Sequence, residues 1–204
     1  MNFDMSGTAL FWSVFWVVLI GGILYFIALF NKLIKLKNLF CNGYAQIDVQ
    51  LKRRYDLIPN LVETAKSYLV HERATLEAVI QARNGAVTAS SKARQNPGDS
   101  QSMGALGAAE SQLSSTLKGL FALMEAYPQL QADHTLSRLH EELVSTENRI
   151  TFARQFFNDA VMDYNTARES FPELLIAQKF NFPAATLLES IESPVERLAV
   201  RVKM

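Results

Sequence analysis

Only one cysteine, Cys41, occurs in the 204 residues, which excludes an intramolecular disulfide and a cysteine-rich zinc site. Charge of either sign is not in excess: 20 basic side chains face 20 acidic ones. That balance argues against a general nucleic-acid binder, which needs a concentrated basic face to release counterions from phosphates. Glycine and proline are scarce, nine and six residues, mostly near proposed ends and connections. Such sparse punctuation favours a few long helices over many short strands.

Catalytic and metal-binding patterns are missing as well. A di-iron bundle needs glutamate and histidine three apart on two helices, but His71, His134 and His140 are preceded at that distance by Tyr68, Gln131 and Ser137. His71-Glu72 and His140-Glu141 do not extend to HExxH, because Thr75 and Val144 occupy the closing positions. The G-x-S-x-G elbow, the P-loop and the G-x-G-x-x-G turn are absent. The expectation is therefore a protein without catalytic residues, cofactor or metal, and not an enzyme.

What is present begins with a run of 21 uncharged residues, Leu10 to Phe30. At 1.5 Å per residue it spans about 31 Å, enough to cross the hydrocarbon core of a bilayer. Trp12, Trp16 and Tyr25 suit the two interfaces. A secretory signal peptide fits poorly, since residues 1–9 carry Asp4 and no basic side chain, and no small-residue cleavage site is evident. Lys32, Lys35 and Lys37 follow at once, placing the N-terminus outside, the rest of the chain in the cytoplasm, and these lysines at anionic head groups.

Beyond the run, apolar residues recur every seven positions. Tyr44, Leu51, Ile58 and Ala65 form one row, with Val62, Leu69 and Leu76 beside it. This predicts one helix from Asn31 to about Arg83, kinked and not ended at Pro59. Residues 84–104 are rich in Ser, Ala, Gly and Asn around Pro97-Gly98, and read either as a long exposed connection or as two frayed helix ends about that turn. Leu106, Leu113, Leu120 and Tyr127, with Leu117 and Met124, predict a second helix stopping before Pro128.

The third helix, from about Ala132, has Leu136, Leu143, Ile150, Phe157, Tyr164 and Phe171 in one row and Leu139, Thr146, Ala153, Ala160 and Ala167 in the other. Large residues beside small ones predict close antiparallel packing of coiled-coil type. A short fourth helix runs from Pro172 to about Lys179. Residues 185–192 can add a further helical turn or two, whereas residues 194–204 fit an edge strand, a disordered tail or a surface-bound peptide. The expected architecture is all-α, a transmembrane helix followed by an antiparallel bundle of three long helices and a short fourth. Its segments are 1–9, 10–30, 31–189 and 190–204.

Several polar residues flank these seams. Arg53, Arg54 and Asp56 lie beside the first, with Lys52, and Glu147, Asn148 and Arg154 beside the third, with Arg149. They are candidates for fixing helix register, alongside Pro59, or for a solvated charged face. His71 and Glu72 are candidates for a ligand contact or a structural role.

The segment QIDVQLKRRYDLIPNLVETAKSYLVHE, residues 46–72, followed by TLEAVIQAR, resembles the signature of the LemA family of bacterial membrane proteins. EAYPQL, EELVSTENRITFARQFFNDAVMDYN and FPELLIAQKFNF are similar to the rest of that pattern, in the same order, so that the resemblance covers about Asn31 to Glu189. Asn181 stands where the pattern has glycine, and either residue accepts a positive φ. The resemblance implies a helical fold, a membrane anchor and no established catalytic activity. The resulting expectation is a self-associating, membrane-anchored scaffold on the cytoplasmic face of the bacterial inner membrane, in contact with the lipid bilayer. The alternative is an accessory or signalling subunit of a membrane protease or sensor kinase.

Overall fold

A computed structural model describes residues 5–189, and every regular element among them is helical. Helix α1 (Met5–Lys66) carries the apolar run and the first soluble stretch as one element of 62 residues. Residues 10–28 are all exposed, and burial begins at Leu29. From there Leu33, Phe40, Tyr44, Ile47, Leu51, Tyr55 and Ile58 are buried in turn, spaced three, four or seven apart as one helical face requires. Pro59 lies inside α1 without ending it.

The chain reverses over residues 67–72, and α2 (Arg73–Gln95) runs back along α1. Tyr55 lies beside Ala86 and Tyr44 beside Ser90, so the pair is antiparallel. This corrects the expectation of one helix reaching Arg83. Leu69 and Leu76 are both buried, as the seven-residue pattern requires, yet Leu69 lies in the reversal and Leu76 on the returning helix. A heptad row marks which residues face the core, and a folded-back pair satisfies it as well as a straight rod does.

Residues 84–104 are helical on both sides of a tight turn, so the frayed-ends reading is nearer than the long connection. Gly98 has φ +87° in that turn, and α3 (Ser100–Glu125) starts when Asp99 accepts a bond from Ser102 N at 2.9 Å. α4 (Pro128–Gln131) is a single turn with proline at its start. Asp133 caps α5 (His134–Glu169) through Thr135 N and Leu136 N, while Tyr68 donates to the same carboxylate at 2.9 Å.

Helix α5 lies antiparallel along α1. Rings meet at Phe40 and Tyr164, 5.1 Å apart, and at Tyr44 and Phe157, 6.0 Å apart, while Tyr68 reaches Asp133 at the other end. The approach is close at Gly43, where an added Cβ would come within 3.1 Å of Phe157 Cα. Both predicted rows of α5 are buried except at Phe171, which lies past the end of the helix and is exposed. α1 from Asn31 onward, α2, α3 and α5 thus form the bundle. What was expected as the first of three long helices supplies two of its four members.

α6 (Glu173–Lys179) packs at the base, between α5 and the stretch of α1 where the apolar run ends. Asn181 then takes φ 53°, the left-handed conformation expected of it. Residues 182–189 are extended, which corrects the expectation of a further helical turn over its described part, 185–189; residues 190–204 lie outside the described residues. The reason is a set of side chains on α5 that hold this segment's backbone. Asn165 exchanges two bonds with Ala185, at 2.8 and 3.0 Å, and Asn158 exchanges two with Leu188, at 3.3 and 2.9 Å. Seven helical residues advance about 10.5 Å and three extended ones about 10 Å, so the two registers match. Arg168 donates to the Phe182 carbonyl and Tyr164 to that of Pro183.

Candidate functional site: an ionic cluster inside the bundle

Arg54 is the centre of the largest polar cluster among the described residues, with only 4 % of its surface exposed. It lies next to Tyr55, which occupies the apolar stripe of α1 between Leu51 and Ile58. Across the bundle, Glu110 takes the stripe position of α3 four residues after Leu106 and three before Leu113, and it is buried with them. Arg54 Nη1 lies 3.1 Å from Glu110 Oε2 and 2.7 Å from Glu147 Oε2 on α5, and Nη2 donates to Ser114 Oγ at 2.8 Å. Tyr55 Oη donates to Glu110 Oε1, with the Ala86 carbonyl of α2 3.3 Å away. One guanidinium and one phenol therefore connect all four helices of the bundle.

The electrostatics follow from burial. Loss of water raises the pKa of Glu110, against the pull of Arg54 and the Tyr55 hydrogen bond, and the charge of Glu147 adds to the rise. Burial and the neighbouring Glu110 push the Tyr55 phenol far above its ordinary value. About three turns earlier on α1, burial pushes Tyr44 up to about 12. Desolvation of such charges costs several kcal/mol per ion, and pairing roughly cancels it. The cluster fixes which residues face one another more than it stabilises the fold.

The other sequence candidates divide by location. Glu147 joins the cluster, and Arg154 is close enough to stabilise the Glu110 carboxylate, although its buried Nε has no hydrogen-bond partner among the described residues. Arg53 pairs loosely with Glu142 at 3.7 Å, both half in solvent. Asp56, Lys52, Asn148 and Arg149 are exposed, on the solvated side of their helices. His71 is exposed in the reversal, whereas Glu72 sits at the start of α2, where its carbonyl accepts from Thr75 N and Leu76 N. Lys35 and Lys37 are exposed, but Lys32 Nζ lies 2.6 Å from Glu173 Oε1 and ties α1 to α6. That pairing holds the Glu173 carboxyl below its usual value. Cys41 is half-buried, and loss of water raises its thiol pKa.

Glu110, Tyr55 and Ser114 escaped selection from the sequence. The signal was a carboxylate and a phenol placed within apolar rows, where a polar residue needs a partner.

At the opposite end from the apolar run, Pro59, Val62, Leu69, Leu76 and Ile80 line an open groove of roughly 870 Å³ rimmed by Glu63, Lys66, Arg73 and Glu77.

The family model of the LemA family matches residues 43–204, a stretch that includes the reversal, the ionic cluster, the Asn158 and Asn165 clamps and α6. The chain belongs to the LemA family. No curated protein matches it. The LemA match starts one turn before Ile47 and leaves out the apolar run.

Proposed function

We propose that this LemA-family chain is a non-enzymatic scaffold anchored in the bacterial inner membrane, with the N-terminus outside and the bundle on the cytoplasmic face. The carrying observation is α1: one unbroken helix is bare over residues 10–28, long and apolar enough there to cross a membrane, and forms the core of the bundle from Leu33 onward. Three lysines follow the apolar run and supply the orientation. Membership of the LemA family supports membrane association. Moving Lys32, Lys35 and Lys37 upstream of Leu10 should invert a reporter fused to the C-terminus; an unchanged reporter would refute the charge-set orientation.

Self-association of this scaffold is supported by an outward face. Val144, Asn148, Phe152 and Phe156 follow one another at four-residue spacing on α5, and Phe152 is 73 % exposed. Phe156 lies against Gly43, and Val49, further along the exposed side of α1, is uncovered as well. Exposed aromatic stripes of this kind mark protein contact surfaces. Native mass measurement in mild detergent should show multimers at micromolar concentration, and Phe152→Ser should reduce them. Monomer alone would end the self-association reading.

The groove between Pro59 and Ile80 favours a second reading, in which the bundle is an accessory or signalling subunit of a membrane protease or sensor kinase. Crosslinking from Val70 would then capture one defined heterologous protein in place of a second copy.

A further inference from the structure

The base of the bundle carries an apolar surface that neither the core nor the ionic cluster uses. Phe171 is 79 % exposed, Leu175 one turn later 59 %, and Phe180 48 %. On the inner side of α6, Ile176 and Ala177 pack with Leu33 and Ala167. The helix therefore has its inner face packed, while Phe171 and Leu175 on the outer side are uncovered among the described residues. The sequence of contacts along α1 fixes its height. Glu173 meets Lys32, and the Phe180 ring lies 5.2 Å from that of Phe30 and 5.9 Å from that of Phe26. α6 thus descends along α1 toward the apolar run, and Phe180, which follows it, reaches about 6 Å inside the end of that run, four residues at 1.5 Å each.

We propose that α6 and its flanks are a second membrane contact, in which Phe171, Leu175 and Phe180 enter the boundary between lipid head groups and acyl chains beside the anchor. The inference rests on the reading of α1 as that anchor. If Leu10 to Phe30 lie in hydrocarbon, Phe180 must lie at its edge, because it touches Phe26. Aromatic rings settle at this boundary. Lys179, at the last turn of α6, is placed to reach a phosphate. The Lys32 to Glu173 pair also balances the charge of the lysine nearest α6, leaving Lys35 and Lys37 for head groups. A lever follows from this arrangement. α1 and α5 would be held at a fixed height and rotation by two lipid contacts, where a lone helix could turn freely about its axis.

The test places a nitroxide at position 175 (Leu175→Cys in a Cys41→Ser background) of the full chain in nanodiscs of phosphatidylethanolamine and phosphatidylglycerol. Collision with oxygen is compared with collision with a water-soluble nickel complex. Labels at Val18→Cys and Lys66→Cys serve as references for the anchor and for the far end of the bundle. The expected result is an oxygen preference at 175 several-fold above that at 66, approaching that at 18. A lipid-like label at 18 with a water-like label at 175 overturns the α6 contact and leaves the anchor standing. Water-like labels at both 18 and 175 overturn the anchor and this contact with it.

Discussion

Arg83 Nε donates a 3.1 Å hydrogen bond to the carbonyl of Tyr55. That carbonyl is four residues before Pro59, so it is the one whose helical donor the proline ring has removed. α2 thus supplies from outside what α1 cannot supply from within. Arg83 lets the helix continue through Pro59 while the carbonyl stays partnered.

The first prediction is a coupling between these positions. Arg83→Met should destabilise the bundle by about 1–2 kcal/mol, the cost of a part-buried acceptor losing its donor. In a Pro59→Ala background the alanine N–H restores the helical bond, and the Arg83→Met cost should fall by at least half. Urea unfolding of the detergent-solubilised chain measures both; equal costs in the two backgrounds would show that Arg83 acts through something else.

Removing one member of the ionic cluster should cost far more than removing several. Arg54→Met leaves Glu110 buried with its principal partner gone, and about 3–5 kcal/mol should be lost. Arg54→Met combined with Glu110→Leu should recover most of that in the same unfolding measurement. A double variant as unstable as the sum of its singles would argue that the pair is not linked.

Glu110 also predicts a pH dependence of unusual sign for a carboxylate. Its folded pKa is raised by burial, so the folded chain holds this proton more tightly than the unfolded one. Its contribution to stability is therefore fully present below the unfolded value, about 4.3, and is lost as pH rises through the folded value. The stability of the natural chain relative to Glu110→Gln should decline from about pH 4 toward neutrality. A difference that grows over that range would mean that Arg54 outweighs burial.

The asparagine clamps should govern the extended segment locally. Asn165→Leu removes two bonds to Ala185 and Asn158→Leu two to Leu188. Hydrogen exchange at residues 182–189 should rise about tenfold or more in either variant, at about 1 kcal/mol per bond, while amides near Ile47 and Leu51 stay protected. Unchanged exchange at 182–189 would mean that apolar contacts alone hold the strap.

Gly98 is constrained twice. Its φ is +87°, and a Cβ there would meet Ala185 Cβ at 3.0 Å and Phe40 Cε2 at 3.3 Å. Gly98→Ala should cost about 1–3 kcal/mol. Adding Ala185→Gly should return only the part due to contact, and full recovery would show that the backbone conformation carries no cost. Thermal unfolding distinguishes the two.

Helical class, the apolar run and the buried rows were legible in the sequence because a helix repeats its faces locally. Leu136, Leu143, Ile150 and Phe157 point inward whatever they meet, and a period of seven records that. Asn181 was legible for a similar reason, since few residues accept a positive φ. Arg54 and Glu147 could be selected as seam residues, yet the second carboxylate on Arg54, Glu110, stands 56 positions from it, and nothing local announces the pairing. Pro97-Gly98 marked a turn whose flanking helices came from tertiary cover, not from strong local signals.

The sequence alone determined which surfaces must leave water, because side-chain polarity and helical period are properties of the chain at each point. The tertiary structure alone decided where α1 reverses and which residues meet. Leu69 sits in a reversal with neither proline nor glycine, and it is held there by burial and by the neighbouring Tyr68 bond to Asp133. The extended course of 182–189 belongs to the same group, since its hydrogen bonds come from Asn158 and Asn165 on another helix. Such choices depend on groups far apart along the chain arriving together, and only the folded arrangement brings them within bonding distance.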